Sequence, residues 1–187
     1  MKSRIFYSDA YKKIQLQIIS KLNAHEDFLS ESTAKSPRAV GDAIESILRE
    51  EFEAILGEWC VEYTQDFPRR AMADLAFKDK DGFNYYVDVS TYRTDTDFNM
   101  PNVTSVERLA RFYGNEMNYF IVLSVSYHIS GTKVIVSDVH FAPIEFFKWD
   151  CLTIGALGWG QIQIANSKKI NIEPYSRSKW HCSFWRR

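Results

Sequence analysis

Long apolar runs are missing from this chain. No stretch approaches the roughly twenty apolar residues that cross a bilayer. The opening MKSRIFYSDAYKK has no apolar core of the kind a secretory leader needs, so the expectation is a cytoplasmic protein. Cysteine is scarce: Cys60, Cys151 and Cys182 form an odd set with no Cys-x-x-Cys. That argues against a disulfide framework or a zinc knuckle and for a reducing compartment. His25, His128, His140 and His181 are scattered, and no two stand at ligand spacing. Charge of one sign is also lacking. With 23 Lys and Arg against 24 Asp and Glu the net charge is -1, so the chain as a whole is not a basic nucleic-acid binder. Repeats, low-complexity segments and linkers are absent, and 187 residues fit one domain with a sizeable core.

Aromatic residues are plentiful, with 13 Phe, 10 Tyr and 5 Trp. They suit a dense core and an oligomer interface, or else base stacking. The stretch 167–187 carries Lys168, Lys169, Arg177, Lys179, Arg186 and Arg187 against Glu173 alone. It can track phosphates or simply be a solvated terminus.

Periodicity predicts a helix over 8–24 and a second over 42–56, with Asp42 as N-cap and Ile44, Ile47, Leu48, Phe52, Ile55 and Leu56 on its buried face. Strands are expected at 59–67, 73–78, 83–91, 119–127 and 133–141. A helix is expected over 102–116, a short helix over 145–152 and an edge strand over 161–165. The run at 119–127 is apolar throughout, as in a strand covered on both faces. The order implies an α/β or α+β domain with a central mixed sheet flanked by helices.

The stretch Asp74–Arg93 is the most telling. Lys78-Asp79-Lys80-Asp81-Gly82 is a polar turn between two apolar runs, which signals a hairpin. Phe83, Tyr85, Val87 and Val89 alternate with Asn84, Tyr86, Asp88 and Ser90, so Asp88 and Ser90 share a strand face. Asp74 on one strand and Asp88 on the next can supply the few rigid carboxylate oxygens that Mg²⁺ requires. Two solvent-facing acids on a hairpin are the ordinary alternative.

This pattern resembles the PD-(D/E)XK nuclease superfamily, and within it the EcoRV/HincII branch of type II restriction endonucleases. Asp74 matches the first acid and Asp88 the second, while Ser90 stands where the family usually has Lys. The stretch Ser36–Glu45 resembles the family's early helix, whose Glu faces the metal, and Glu45 fits that place. Met100-Pro101-Asn102 resembles a Pro-Asn helix start. The resemblance covers about residues 36–125 and implies the core order αβββαβ, with 128–187 completing the sheet and the DNA or dimer contacts. It further implies a bacterial or archaeal homodimer that cuts double-stranded DNA with Mg²⁺ held by Asp74, Asp88 and Glu45, beside a companion DNA methyltransferase.

A hydroxyl at Ser90 can hydrogen-bond a water but supplies no positive charge. The lysine's work then falls to a second metal helped by Glu45, or to a basic residue from elsewhere. Lys78 is about 13 Å along an extended strand from Asp74, and Arg93 has the wrong strand parity. The loop after the hairpin offers Thr91, Arg93, Thr94, Asn99, Met100 and Asn102 as DNA contacts, and Arg38, Arg69 and Arg70 are candidates for phosphates. Besides a restriction enzyme, the sequence admits a repair or recombination nuclease, a DNA-binding protein that has lost catalysis, or a protein-interaction module.

Overall fold

The computed structural model describes residues 2–25, 29–65, 72–96, 100–155 and 160–184. The chain folds as an α+β protein with a mixed five-stranded sheet and a smaller three-stranded antiparallel one. The first has β1 (Glu62–Thr64), β2 (Leu75–Lys78), β3 (Asn84–Arg93), β5 (Asn118–Ser130) and β6 (Lys133–Pro143), side by side in that order. The β3–β5 pair is parallel and the others antiparallel. The chain between β3 and β5 includes β4 (Asn102–Ser105) and α4 (Val106–Phe112). β4 joins β8 (Gln161–Ile164) and β7 (Leu152–Gly155) in the order β4-β8-β7.

Helices α1 (Ala10–Ala24) and α3 (Pro37–Leu56), with the single turn α2 (Glu31–Ala34) before α3, pack on the large sheet. The reason is a continuous apolar stripe: Val40, Ile44, Leu48, Phe52, Ile55 and Leu56 of α3 are all buried. The aromatic richness is spent here. Phe6 and Phe52 lie 5.2 and 5.7 Å from Phe141, and Phe77 stacks on Tyr85 at 4.5 Å. α1 also covers the free edge of β6. Asn23 donates to Val136 O and accepts from Val136 N, and Gln15 donates to Val139 O at 2.7 Å, which closes an edge otherwise open to pairing. On the opposite side Phe112 of α4 meets Tyr86 edge-on at 4.9 Å.

The hairpin is built by its turn. Asp79 is buried; its Oδ1 accepts from the N–H groups of Asp81 and Phe83, each at 3.0 Å, and its Oδ2 accepts from the Tyr85 hydroxyl at 2.6 Å. Gly82, at φ 83°, takes the left-handed conformation that turn demands.

Several expectations are corrected. The α3 cap is Ser36, whose hydroxyl accepts from Ala39 N–H, with Pro37 in the first turn; Asp42 lies inside the helix. Residues 102–105 are strand, because they pair with β8, and the helix starts only after Ser105, which caps Arg108 N–H. Within that helix Leu109 is buried while Val106 and Ala110 are exposed. β1 is three residues long and follows a 3₁₀ turn at 57–59. In place of a helix over 145–152 the chain makes the 3₁₀ turn Ile144–Phe146 and enters β7 at Leu152, and β8 is the middle strand of its sheet, not an edge. No described helix is long and apolar enough to cross a membrane.

The basic C-terminal stretch is partly structural. α5 (Arg177–Phe184) is fastened by Arg177, which lies over the rings of Tyr113 and Tyr119 at 4.0 and 4.8 Å and bonds Glu145 at 3.4 Å. Glu145 is fully buried and also accepts from the Tyr113 hydroxyl at 2.6 Å. Burial raises the Glu145 carboxyl, and Tyr113 and Arg177 act against that. Arg177 therefore serves the fold; Arg186 and Arg187 lie outside the described residues.

Candidate metal and nucleic-acid site

Asp74 stands one step before the β2–β3 ladder, whose last pair is Leu75 with Val87. Its N–H donates to Val87 O at 2.9 Å and its Oδ2 accepts from Val89 N–H at 2.8 Å. Those two bonds clamp the carboxylate against β3 beside Asp88, with Oδ1 left over. Asp88 is half-buried as a residue, but its Oδ2 is shielded from solvent and has no hydrogen-bond partner among the described residues. A buried carboxylate oxygen without a partner is costly and needs an explanation.

α3 brings the third acid. Glu45 is half-buried, and Arg49 Nη2 donates to its Oε1 at 2.5 Å. The three acids act on one another. Burial pushes the Asp88 carboxyl well above its ordinary value, and Asp74 and Glu45 push it further, with the Ser90 hydroxyl acting the other way. Burial likewise raises Asp74, eased by the Val89 N–H and the charge of Arg49. Glu45 is raised by burial and by Asp74, eased by Arg49. A bound cation would relieve all three.

The donor set fits Mg²⁺ in a restricted way. Among the described residues no three His, Cys, Asp or Glu side chains converge closely enough to hold an ion. Glu45 is engaged by Arg49, which leaves Asp74 Oδ1 and Asp88 Oδ2 as the free oxygens. Two carboxylates suffice for Mg²⁺, which keeps several waters and takes its remaining ligands from a phosphate.

Beside the acids lies an open cleft of about 330 Å³ lined by Pro37, Arg38, Gly41, Asp42, Glu45, Val89 and Thr91. α3 approaches β3 closely there: a Cβ on Gly41 would sit 2.8 Å from Thr91 Oγ1. The cleft gathers Arg38 and Thr91 with Glu45. Other expected contacts are placed differently. Arg93 Nε donates to Asp95 Oδ1 at 2.8 Å, so its charge is already answered. Lys78 pairs with Glu62. Asn102 is on β4, accepting from Gln163 at 2.7 Å, so the Pro-Asn start of a helix is not formed. Thr94 is exposed at the end of β3, its N–H bonded to Tyr127 O, and Met100 is half-buried. Arg69, Arg70 and Asn99 lie outside the described residues.

Ser90 occupies a polar row. It pairs across the sheet with Ser124, which pairs with His140. Ser124 is fully buried and its hydroxyl has no partner among the described residues. Burial lowers the His140 imidazole, opposed by Asp138 at 3.3 Å. The sequence reading set His140 aside because no ligand spacing singles it out. It also missed Arg49, although the step from Glu45 to Arg49 is the four-residue spacing that makes helix neighbours.

Compared with known proteins, the chain matches no protein-family model and no curated sequence.

Proposed function

We propose that this chain is a Mg²⁺-dependent, site-specific double-stranded DNA endonuclease of the type II restriction kind, on a restriction-endonuclease-like core. One observation carries the reading: the carboxylates of Glu45 on α3, Asp74 just before β2 and Asp88 on β3 lie within one another's fields, and Asp88 presents a buried, unpartnered oxygen. The order in which they occur along the chain is the family's order. A bound Mg²⁺ would polarise the scissile phosphate and acidify a coordinated water. The chain's own residues do the rest. The Val89 N–H orients Asp74, β3 fixes Asp88, and Ser90 offers a hydroxyl to a water. Arg38 and Thr91 line the cleft through which a phosphate backbone reaches the acids. Two symmetric copies would cut both strands of a palindrome.

A second reading is favoured by Ser90 itself: with no charged side chain there, the protein binds DNA on this fold and does not cut it. Digestion of phage DNA by the purified protein with Mg²⁺, with Mn²⁺ and with EDTA separates the two. Discrete, metal-dependent bands that vanish in Asp74→Ala support the nuclease. A salt-sensitive gel shift with no cleavage under any metal supports the binder, and neither result would leave no DNA function.

A further inference from the structure

We propose that Arg49 is the cation of this site, donating from its guanidinium to a non-bridging oxygen of the scissile phosphate and so supplying the positive charge that Ser90 cannot. The proposal rests on the nuclease reading and assigns a residue to a role which that reading leaves open.

Three observations meet at Arg49. First, it follows Glu45 by one helical turn on α3 and bonds it, which puts the guanidinium at the rim of the acid group. Second, it is the cation whose field eases Asp74, and its own partner Glu45 belongs to the acid group, unlike the partners of the other arginines. Arg93 is paired with Asp95, Arg177 with Glu145, and Arg38 stands exposed in the cleft. Third, Arg49 Nε is buried and has no acceptor among the described residues. A buried guanidinium N–H without an acceptor is as anomalous as the bare oxygen of Asp88, and the two anomalies have opposite sign. A phosphate brought to the acids with a divalent ion would answer both: Asp88 would help hold the ion, and the guanidinium of Arg49 would donate to the phosphate.

Glu45 then has a second part. Without DNA it holds the guanidinium in place by a single Nη2 contact, the kind of helix-surface pair that is weak. A phosphate would compete for the same donors, and release of Arg49 would free the Glu45 carboxylate to help hold the ion. Arg49 transfers no proton, since a guanidinium stays charged. Its contribution is fixed positive charge where negative charge accumulates, which makes it a catalytic residue acting on the phosphate.

The test compares wild type, Arg49→Gln and Arg49→Lys in three measurements: single-turnover cleavage of phage DNA with Mg²⁺, Mn²⁺ binding by titration calorimetry, and the unfolding midpoint. Loss of one such donor lowers the cleavage rate by about 100- to 1,000-fold. Arg49→Gln should therefore lose that much rate while its Mn²⁺ affinity is kept or tightened, because a repelling charge has left. Arg49→Lys, which keeps the charge, should recover part of the rate and carries the test if Arg49→Gln does not fold. Cleavage by Arg49→Gln at the wild-type rate would overturn the proposal. So would parallel loss of Mn²⁺ binding and cleavage, which would make Arg49 a scaffold for Glu45. Either result leaves the nuclease reading standing, whereas a wild type that binds Mn²⁺ and never cuts DNA would end that reading and the role of Arg49 with it.

Discussion

Replacing Asp88 by Asn should make the metal-free protein more stable. The wild-type carboxylate has one oxygen buried without a partner and is repelled by Asp74 and Glu45. An unsatisfied buried polar group costs about 1–3 kcal/mol, and more when charged. Asn keeps the shape and removes the charge, so a gain of about 2 kcal/mol is expected. For a domain of this size that raises the unfolding midpoint by roughly 6 °C. The pH dependence follows from the direction of the shifts. Asp88, Asp74 and Glu45 are all raised in the folded state, so the native protein holds their protons more tightly than the unfolded chain. The burden is absent below the unfolded carboxylate value of 3.8 for Asp and accumulates as pH rises through the raised native values. Calorimetry in EDTA from about pH 4 upward should therefore show wild type losing ground to Asp88→Asn as pH rises. Mg²⁺ should reverse the order, because an ion at 100 times its dissociation constant stabilises the wild type by about 2.7 kcal/mol and leaves the variant unmoved. An Asp88→Asn protein that melts lower than wild type in EDTA at pH 8 would mean that the carboxylate has a protein partner, and the case for a cation there would fail.

Other perturbations probe the frame that holds the site. Arg177→Met strands the buried carboxylate of Glu145 and should cost about 3–5 kcal/mol in a denaturant titration, since removing one member of a buried pair leaves the other uncompensated. Retained stability would show that the rings of Tyr113 and Tyr119, not the ion pair, fasten α5. Asp79→Ala removes three hydrogen bonds to a buried carboxylate in the hairpin turn and should lower stability by about 3 kcal/mol, with loss of DNA cleavage through misplacement of Asp88. Gly41→Ala places a methyl group 2.8 Å from Thr91 Oγ1 and should cost about 1–3 kcal/mol by overpacking. Thr91→Ser, which keeps that oxygen, should not relieve it in the double variant, while Thr91→Ala should.

What could be read from the sequence was what short-range chemistry decides. The hairpin was legible because period-two alternation and the Asp79–Gly82 turn are local, and β5 was legible because a strand covered on both faces has no polar face to show. The helix expected at 102–116 was half wrong because residues 102–105 owe their conformation to β8, some sixty positions away. The Ser105 cap that starts the real helix was visible and was passed over in favour of Pro101-Asn102. β8 was read as an edge because alternation looks the same in an edge strand and in a middle one; only the partners differ. In the site, Asp74, Asp88 and Glu45 could be chosen by order and spacing, and the structure puts them within one another's fields. Nothing in a sequence tells a buried bare oxygen from a solvated one, nor that Arg177 would be taken up by Glu145 thirty-two residues earlier. Arg49 is within reach of a simple spacing rule, since it follows Glu45 by the four-residue step that makes helix neighbours.

The most direct measurement is diffraction at the manganese absorption edge from crystals of the protein grown with Mn²⁺. An anomalous peak bonded to Asp88 Oδ2 and to the free oxygen of Asp74, and missing from Asp88→Asn crystals, is the expected result. A map with no peak at that pair, or with the peak elsewhere on the chain, would contradict the assignment of Asp74 and Asp88 as the metal site.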